Sequence, residues 1–195
     1  MRIVAWEFMS LDGVVQAPGG PEEDTDNGFS HGGWSHQYFD PEVMGTAIMG
    51  GMDTIDALLY GRRTWQAMAA AWPERAGDSY ADMMNAIKKY VVSETLSITD
   101  MTWNNSQLIP GVGAIETIAE LRRQTGRDLL IWGSATLVRS LLAAGLMDQL
   151  NLMIEPILLG GGKRIFPEDG LARPMQLVSA QTATTGVQVC TYCPA

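Results

Sequence analysis

Apolar and polar positions change period several times along the chain, and each change marks a candidate element. Residues 2–8 form a short apolar run interrupted by Glu7 and read as a first strand. The stretch SLDGVVQAPGGPEEDTDNGFSHGGW follows, rich in Gly, Pro and acids, and reads as a long loop. Loops of this length inside a compact domain are usually functional or disordered. DPEVMGTAIMGGMDT takes a helical reading, with Asp40 as cap, Pro41 in the first turn, and Val43, Ala47 and Ile48 on one face. Residues 54–60 form a second strand that stops at Gly61. RTWQAMAAAW is helical up to Pro73, and residues 79–88 form another short helix.

KYVVSETL is a third strand, MTW a short strand and NNSQLIPGVG a loop. AIETIAELRRQTG puts Ile115, Ile118 and Ala119 in one stripe, with Gly126 as terminator. DLLIW is a buried type of strand. SATLVRSLLAAG spaces Leu137, Val138, Leu141 and Leu142 helically between Ser134 as N-cap and Gly145 as stop. DQLNLMIEP alternates Leu150, Leu152 and Ile154, a strand covered on one face. ILLGGGKRIF breaks at its glycines, which read as a tight turn or bulge, and residues 175–193 supply one or two more strands. Strands alternating with helices, then strands alone, predict an α/β fold: a mainly parallel central sheet with an antiparallel C-terminal edge. Neither an internal repeat nor a linker divides the 195 residues, so the expectation is a single domain, 1–195.

Composition adds little to that picture, with 46% hydrophobic and 18% charged residues. Charge adds more. A net charge of −9 argues against a partner with a nucleic-acid backbone, which needs a basic face, but leaves room for a small anion held by a local basic cluster. The N-terminus has no apolar h-region, and no apolar stretch reaches membrane length, so the expected location is the cytoplasm. Cys190 and Cys193 stand alone as a C-x-x-C pair with no second pair to complete a zinc site, and the preferred reading is two thiols in a final strand. No metal is expected.

Three strand ends carry small or anion-favouring residues: Gly61-Arg62-Arg63-Thr64, Ser93-Glu94-Thr95, and Gly133-Ser134-Ala135-Thr136 leading into Leu137. In open α/β sheets ligands sit beyond the carboxyl ends of the strands. Glycine permits a sharp turn, a new helix offers free N–H groups, and arginine presents a planar fork to phosphate oxygens. Each corner alone reads most simply as helix capping; three together point to a nucleotide with several phosphates. P-loop, Rossmann, zinc-deaminase and nucleophile-elbow signatures are all absent. Asp12 has two readings, a proton-relaying acid or half of an Asp-Gly turn. In the insert, Asp24, Asp26, His31 and His36 either reach the pocket mouth or lie on a solvated loop, and Trp34 is expected as a pocket wall that stacks on a flat ring.

SLDGVV, LLYGRRTW, KYVVSETL and above all IWGSATLVRSLLAAGLMDQLNLMIEPILLGGGKRIF make the chain resemble the dihydrofolate reductase-like superfamily. Within it, the resemblance is to small bacterial proteins similar to the riboflavin-biosynthesis reductase domain. It spans nearly the whole length and implies a three-layer fold with helices on both faces of the sheet, an NADPH cofactor and a homodimer. It implies that Arg62 and Arg63 face the 2′-phosphate, and that Thr64 and residues Gly133 to Leu137 meet the pyrophosphate. Ser93 would lie near the adenosine phosphate, with Gly61 at the turn. Ser10, Asp12, Gly13 and Val14 would form the loop beside nicotinamide and substrate. Three departures qualify it, one being that VVQAPGGPEEDTDNGFSHGGW stands where true dihydrofolate reductases carry a Pro-Trp segment in the first loop and an acid on the following helix. Glu94 would repel a 2′-phosphate, so NADH is not excluded, and Trp132 stands where the riboflavin reductases resemble one another in having Glu.

Overall fold

The computed structural model describes residues 1–195. Its strands are β1 (Arg2–Ser10), β2 (Ile55–Gly61), β3 (Lys88–Ser93), β4 (Ser106–Pro110), β5 (Asp128–Trp132), β6 (Gln149–Glu155), β7 (Met175–Thr182) and β8 (Gln188–Pro194). Its helices are α1 (Thr46–Met52), α2 (Arg62–Ala71), α3 (Ser79–Ala86), α4 (Ala114–Arg123) and α5 (Ala135–Ala143). All eight strands join one sheet in the order β4-β3-β2-β5-β1-β6-β8-β7. Every pair from β4 to β6 is parallel, whereas β8 runs antiparallel to β6, and β7 to β8.

Strand alternation sorts the core into two layers. Ile3, Ala5 and Met9 of β1 join Leu129 and Ile131 of β5 beneath α4 and α5, whose Ile118, Leu121, Val138 and Leu141 close that layer. Val4 and Trp6 face the other way, with Leu58, Tyr60 and Leu130, under Met52, Trp65 and Met84 of α1, α2 and α3. Of the methionines in this half, Met44 and Met84 are buried and Met49 is exposed. The cysteines lie in β8 as free thiols. No helix is long and apolar enough to cross a membrane.

The structure corrects several boundaries. Residues 101–103 are not a strand: Trp103 is buried and its indole N–H donates to Asn85 Oδ1 at 2.7 Å. The strand is β4, inside the stretch expected to be a loop, pairing from Lys89↔Ser106 to Ser93↔Pro110. It is an edge strand ending in proline with one fully buried apolar residue, Ile109, so its periodic signal is faint. The third strand ends at Ser93, whose Oγ accepts from the amides of Thr95 and Leu96 and turns the chain. Helix 40–54 opens with a π-helical turn, Pro41–Gly45, capped by Asp40, before α1 begins.

Candidate active site

A cleft of about 1010 Å³ opens at the carboxyl ends of the central strands, and all three candidate corners line it. Two of them are tied together. Ser134 Oγ accepts from the Gly61 amide at 2.9 Å and donates to Thr64 Oγ1 at 2.8 Å. The tie depends on backbone shape: Gly133 and Ser134 both take positive φ, 72° and 74°, which aims the Ser134 hydroxyl sideways at β2 instead of over the start of α5.

The consequence lies in the helix starts. Neither α2 nor α5 has a side-chain cap, and α4, whose Ala114 and Ile115 line the same cleft, has none either. Away from the cleft the chain does cap: Asp78 accepts from two amides at the start of α3, and Asp40 does the same for the turn before α1. Uncapped first-turn N–H groups present unsatisfied donors and the positive end of a helix dipole. Ser93 is less available, because two amides already occupy its hydroxyl oxygen and only its O–H is left for a ligand.

The paired arginines divide. Arg62 donates to Gln66 Oε1 at 3.1 Å within its own helix. Arg63 reaches the insert instead and pairs with Asp26 and with Asp24 at 3.6 Å. Lys163, just after the glycine turn, joins the same two carboxylates. Asp24 and His36 line the cleft; His31 packs its ring against Phe29. Glu94 lies over Gly111, where an added Cβ would come within 2.2 Å of Glu94 Cγ. Lys163 directly follows the glycines Gly160–Gly162, and that adjacency to a turn is the one sequence signal it carried.

The loop after β1 departs from expectation. Ser10 is fully buried; its hydroxyl donates to Asp12 Oδ1 at 2.6 Å and accepts from the Val14 amide. Asp12 accepts from the amides of Leu159 and Gly160 and lies 3.6 Å from Arg164. The Ser10 hydroxyl, then the Leu159 amide, hold Asp12 down to about 2. These bonds favour the carboxylate, and with the Ser10 carbonyl accepting from the Gly13 amide they fit the turn reading of Asp12 better than that of a proton-relaying acid. Ser10, Gly13 and Val14 do not line the cleft either; Val15, Gln16 and Ala17, immediately downstream, do. Trp34 is also corrected. It is buried with its N–H on the Gln16 carbonyl at 2.8 Å and braces the insert from within. The aromatic wall is instead Trp6, Phe8 and Trp132, with Trp132 stacked on Trp6 at 6.3 Å and edge-on to Phe8 at 6.2 Å.

Two carboxyls were missed as site candidates. Glu7 lines the cleft at 4% exposure, and its Oε1 is sealed from solvent without a partner. Burial, helped by nearby Glu23, pushes it up to about 8. Glu155 is fully buried, accepts from Ser35 Oγ at 2.5 Å, and burial raises it to about 7 against that hydrogen bond. For Glu7 the signal was the interruption of an apolar strand by an acid.

A family model described as the RibD C-terminal domain matches residues 2–189. The uncharacterized protein YyaP of Bacillus subtilis (strain 168) is 26% identical over 98% of this chain and 94% of its own length. Among solved structures, a putative riboflavin biosynthesis protein from Shewanella sp. PV-4 superposes with a TM-score of 0.75 at 20% identity, covering 100% of this chain and 99% of that one. A pyrimidine reductase-like protein from Corynebacterium diphtheriae gives 0.64 at 15% identity, covering 100% and 92%. Dihydrofolate reductase from Enterococcus faecalis, complexed with NADP(H) and RAB-propyl, gives 0.60 at 15%, covering 99% and 96%. The fold is therefore dihydrofolate reductase-like, and the chain belongs to the RibD C-terminal domain family.

Proposed function

We propose that the chain is an NADPH-dependent reductase of a small heterocycle of the pterin or pyrimidine kind. The observation that carries this reading is the convergence of three uncapped helix N-termini on one cleft. Several such sites around a single cavity suit the separated phosphates of a dinucleotide better than a lone anion. The first turn of α5, Ala135 to Leu137, and Thr64 would hold the pyrophosphate. Gly61 and Gly133 keep the backbone open to close approach. Ser93 would give its O–H to the adenosine end.

Arg62 is the arginine offered to a 2′-phosphate, since Arg63 already serves Asp24 and Asp26. Glu94 lines the same corner and opposes a phosphate there, so NADH remains the competing cofactor. When bound, the dinucleotide supplies hydride. The chain supplies orientation: Trp6, Phe8 and Trp132 form an apolar wall on which a flat ring stacks. The homodimer suggested by the resemblance belongs to the same proposal and is read by light scattering.

The test is to incubate the protein with NADPH and a panel of pterins, dihydrofolate and aminopyrimidines while following nicotinamide absorbance. Sustained loss with at least one substrate is expected. Trp132, in place of the glutamate of the riboflavin reductases, favours a second reading, a nucleotide-binding protein without reductase activity. That reading predicts saturable NADPH binding with no consumption across the panel.

A further inference from the structure

We propose that Glu7 is the proton donor of this reductase, delivering its carboxyl proton to the ring nitrogen of a substrate C=N bond. The proposal rests on the reductase reading. Its basis is where β5 ends. The last β1–β5 pair is Trp6↔Trp132, after which the chain turns through Gly133 into α5. Beyond Trp6, β1 therefore has no strand on that side, and side chains from both of its faces reach the cleft. Trp6 and Phe8 meet Trp132 on one face, and Glu7 enters from the other, the face of α5. A flat ring entering that gap would have an aromatic wall on one side and a carboxyl at its edge.

The acids with structural duties differ from Glu7. Asp12 receives two amides and a hydroxyl, Asp40 two amides at the following turn plus the amide and hydroxyl of Thr184, and Asp128 a bidentate arginine. Glu7 Oε1 has no partner although it is buried. Buried polar atoms are nearly always hydrogen-bonded, and an exception on a residue lining a cleft calls for an explanation, of which a catalytic role is one. Glu155, also raised by burial, has an unpartnered oxygen too, Oε2, but it does not line the cleft and its Oε1 accepts from Ser35.

The surroundings keep Glu7 protonated. Burial first, and then Glu23 of the insert, disfavours the charged form of Glu7; Asp24 and His36 of the insert also line the cleft. The cations that reach it, Lys163 and Arg63 of α2, are taken up by Asp24 and Asp26. Arg62 and Glu94 lie at the phosphate corner, and α4 and α5 bring no titratable side chain to the cleft. With an ordinary value pushed to about 8, the acid carries its proton at neutral pH. In the step, the imine carbon gains hydride and the C=N π pair moves to nitrogen. That nitrogen takes the proton from Glu7, leaving a carboxylate. Uptake of one proton from solvent restores the acid, so each turnover consumes one NADPH and one proton.

The test compares wild type, Glu7→Gln and Glu155→Gln by infrared spectroscopy and kinetics, with NADPH affinity measured on each. In the NADPH-bound protein at pH 7, a carboxylic-acid C=O band is expected that Glu7→Gln removes and Glu155→Gln leaves. An ionised Glu7 in that state overturns the proposal, whether or not any substrate is turned over. With a substrate that wild type reduces, Glu7→Gln is expected to lower kcat by about 100-fold, within the usual range for general acid catalysis, to abolish its fall as pH rises past 8, and to leave NADPH affinity unchanged. An unaltered kcat and pH profile overturns the proposal and leaves the reductase reading standing. Absence of NADPH binding to wild type removes the reductase reading itself.

Discussion

The two ends of the cleft solve opposite problems. At the phosphate corner the chain leaves backbone donors open: three helices begin there without side-chain caps, although Asp78 and Asp40 show that it caps where nothing else is to bind. At the β1 end it leaves a carboxyl unpartnered, the buried Glu7, with Glu23 near it and the aromatic rings on the opposite face of the strand. One end is shaped for negative charge and the other for a group that accepts a proton. Of the four buried side-chain atoms without a partner, on Glu7, Tyr60, Asn151 and Glu155, only that of Glu7 belongs to a residue lining the cleft.

The largest effect should appear in the pH dependence of stability of the ligand-free protein. Glu7 has a folded value raised from 4.5 to about 8, so the native state binds the extra proton between these limits. Its contribution is fully present below pH 4.5 and is lost as pH rises through 8. The loss is at most roughly 4–5 kcal/mol from the size of that shift. Glu155 acts with the same sign and finishes near pH 7. Chemical denaturation across this range should show wild type weakening with rising pH and Glu7→Gln weakening much less. Parallel curves would remove the contrast between the two ends.

Next, Arg62→Ala should weaken NADPH by about 10–100-fold, the worth of a charge-assisted phosphate contact of roughly 1.5–3 kcal/mol, with NADH nearly unaffected. Equal losses by calorimetry would mean that Arg62 does not read the 2′-phosphate. Asp12→Asn belongs to neither end. It should lower the thermal midpoint by a few degrees, because the amides of Leu159 and Gly160 lose a carboxylate, while the pH profile of reduction stays as it was. A shifted profile would return Asp12 to the chemistry.

Arg63→Ala should have the smallest effect on the cofactor, under about fivefold, because exposed ion pairs are worth about 0.2–1 kcal/mol. Faster protease cleavage within residues 19–33 should reveal the insert it ties down. A large loss of NADPH affinity without faster cleavage would make Arg63 a phosphate ligand after all.

Much of this fold was legible because its signals are local. Alternation in Leu150, Leu152 and Ile154, the stripe in α5 and the Gly61 and Gly133 corners each declare an element or a turn within ten residues. The phosphate corner inherits that legibility, since a strand end, a glycine and a helix start are contiguous. The β1 end does not. Glu7 acquires meaning only when β5 stops short beside it and the insert places Glu23 against it, contacts that no period encodes. Of the two readings of Asp12, the local turn was legible in Asp-Gly and Ser10, whereas its amide partners Leu159 and Gly160 lie about 147 positions away. Trp34 looked like a ligand platform because nothing local declares that Gln16 will accept its N–H.

The most direct test of the cleft as a dinucleotide site is a fluorescence titration of the wild-type protein with NADPH and with NADH. Trp6 and Trp132 line the cleft, so bound reduced nicotinamide should quench their emission and gain sensitised emission of its own. Saturation in the micromolar range, tighter for NADPH and weakened by Arg62→Ala, is the expected result. Emission that stays unchanged with both cofactors up to millimolar concentration would contradict the account.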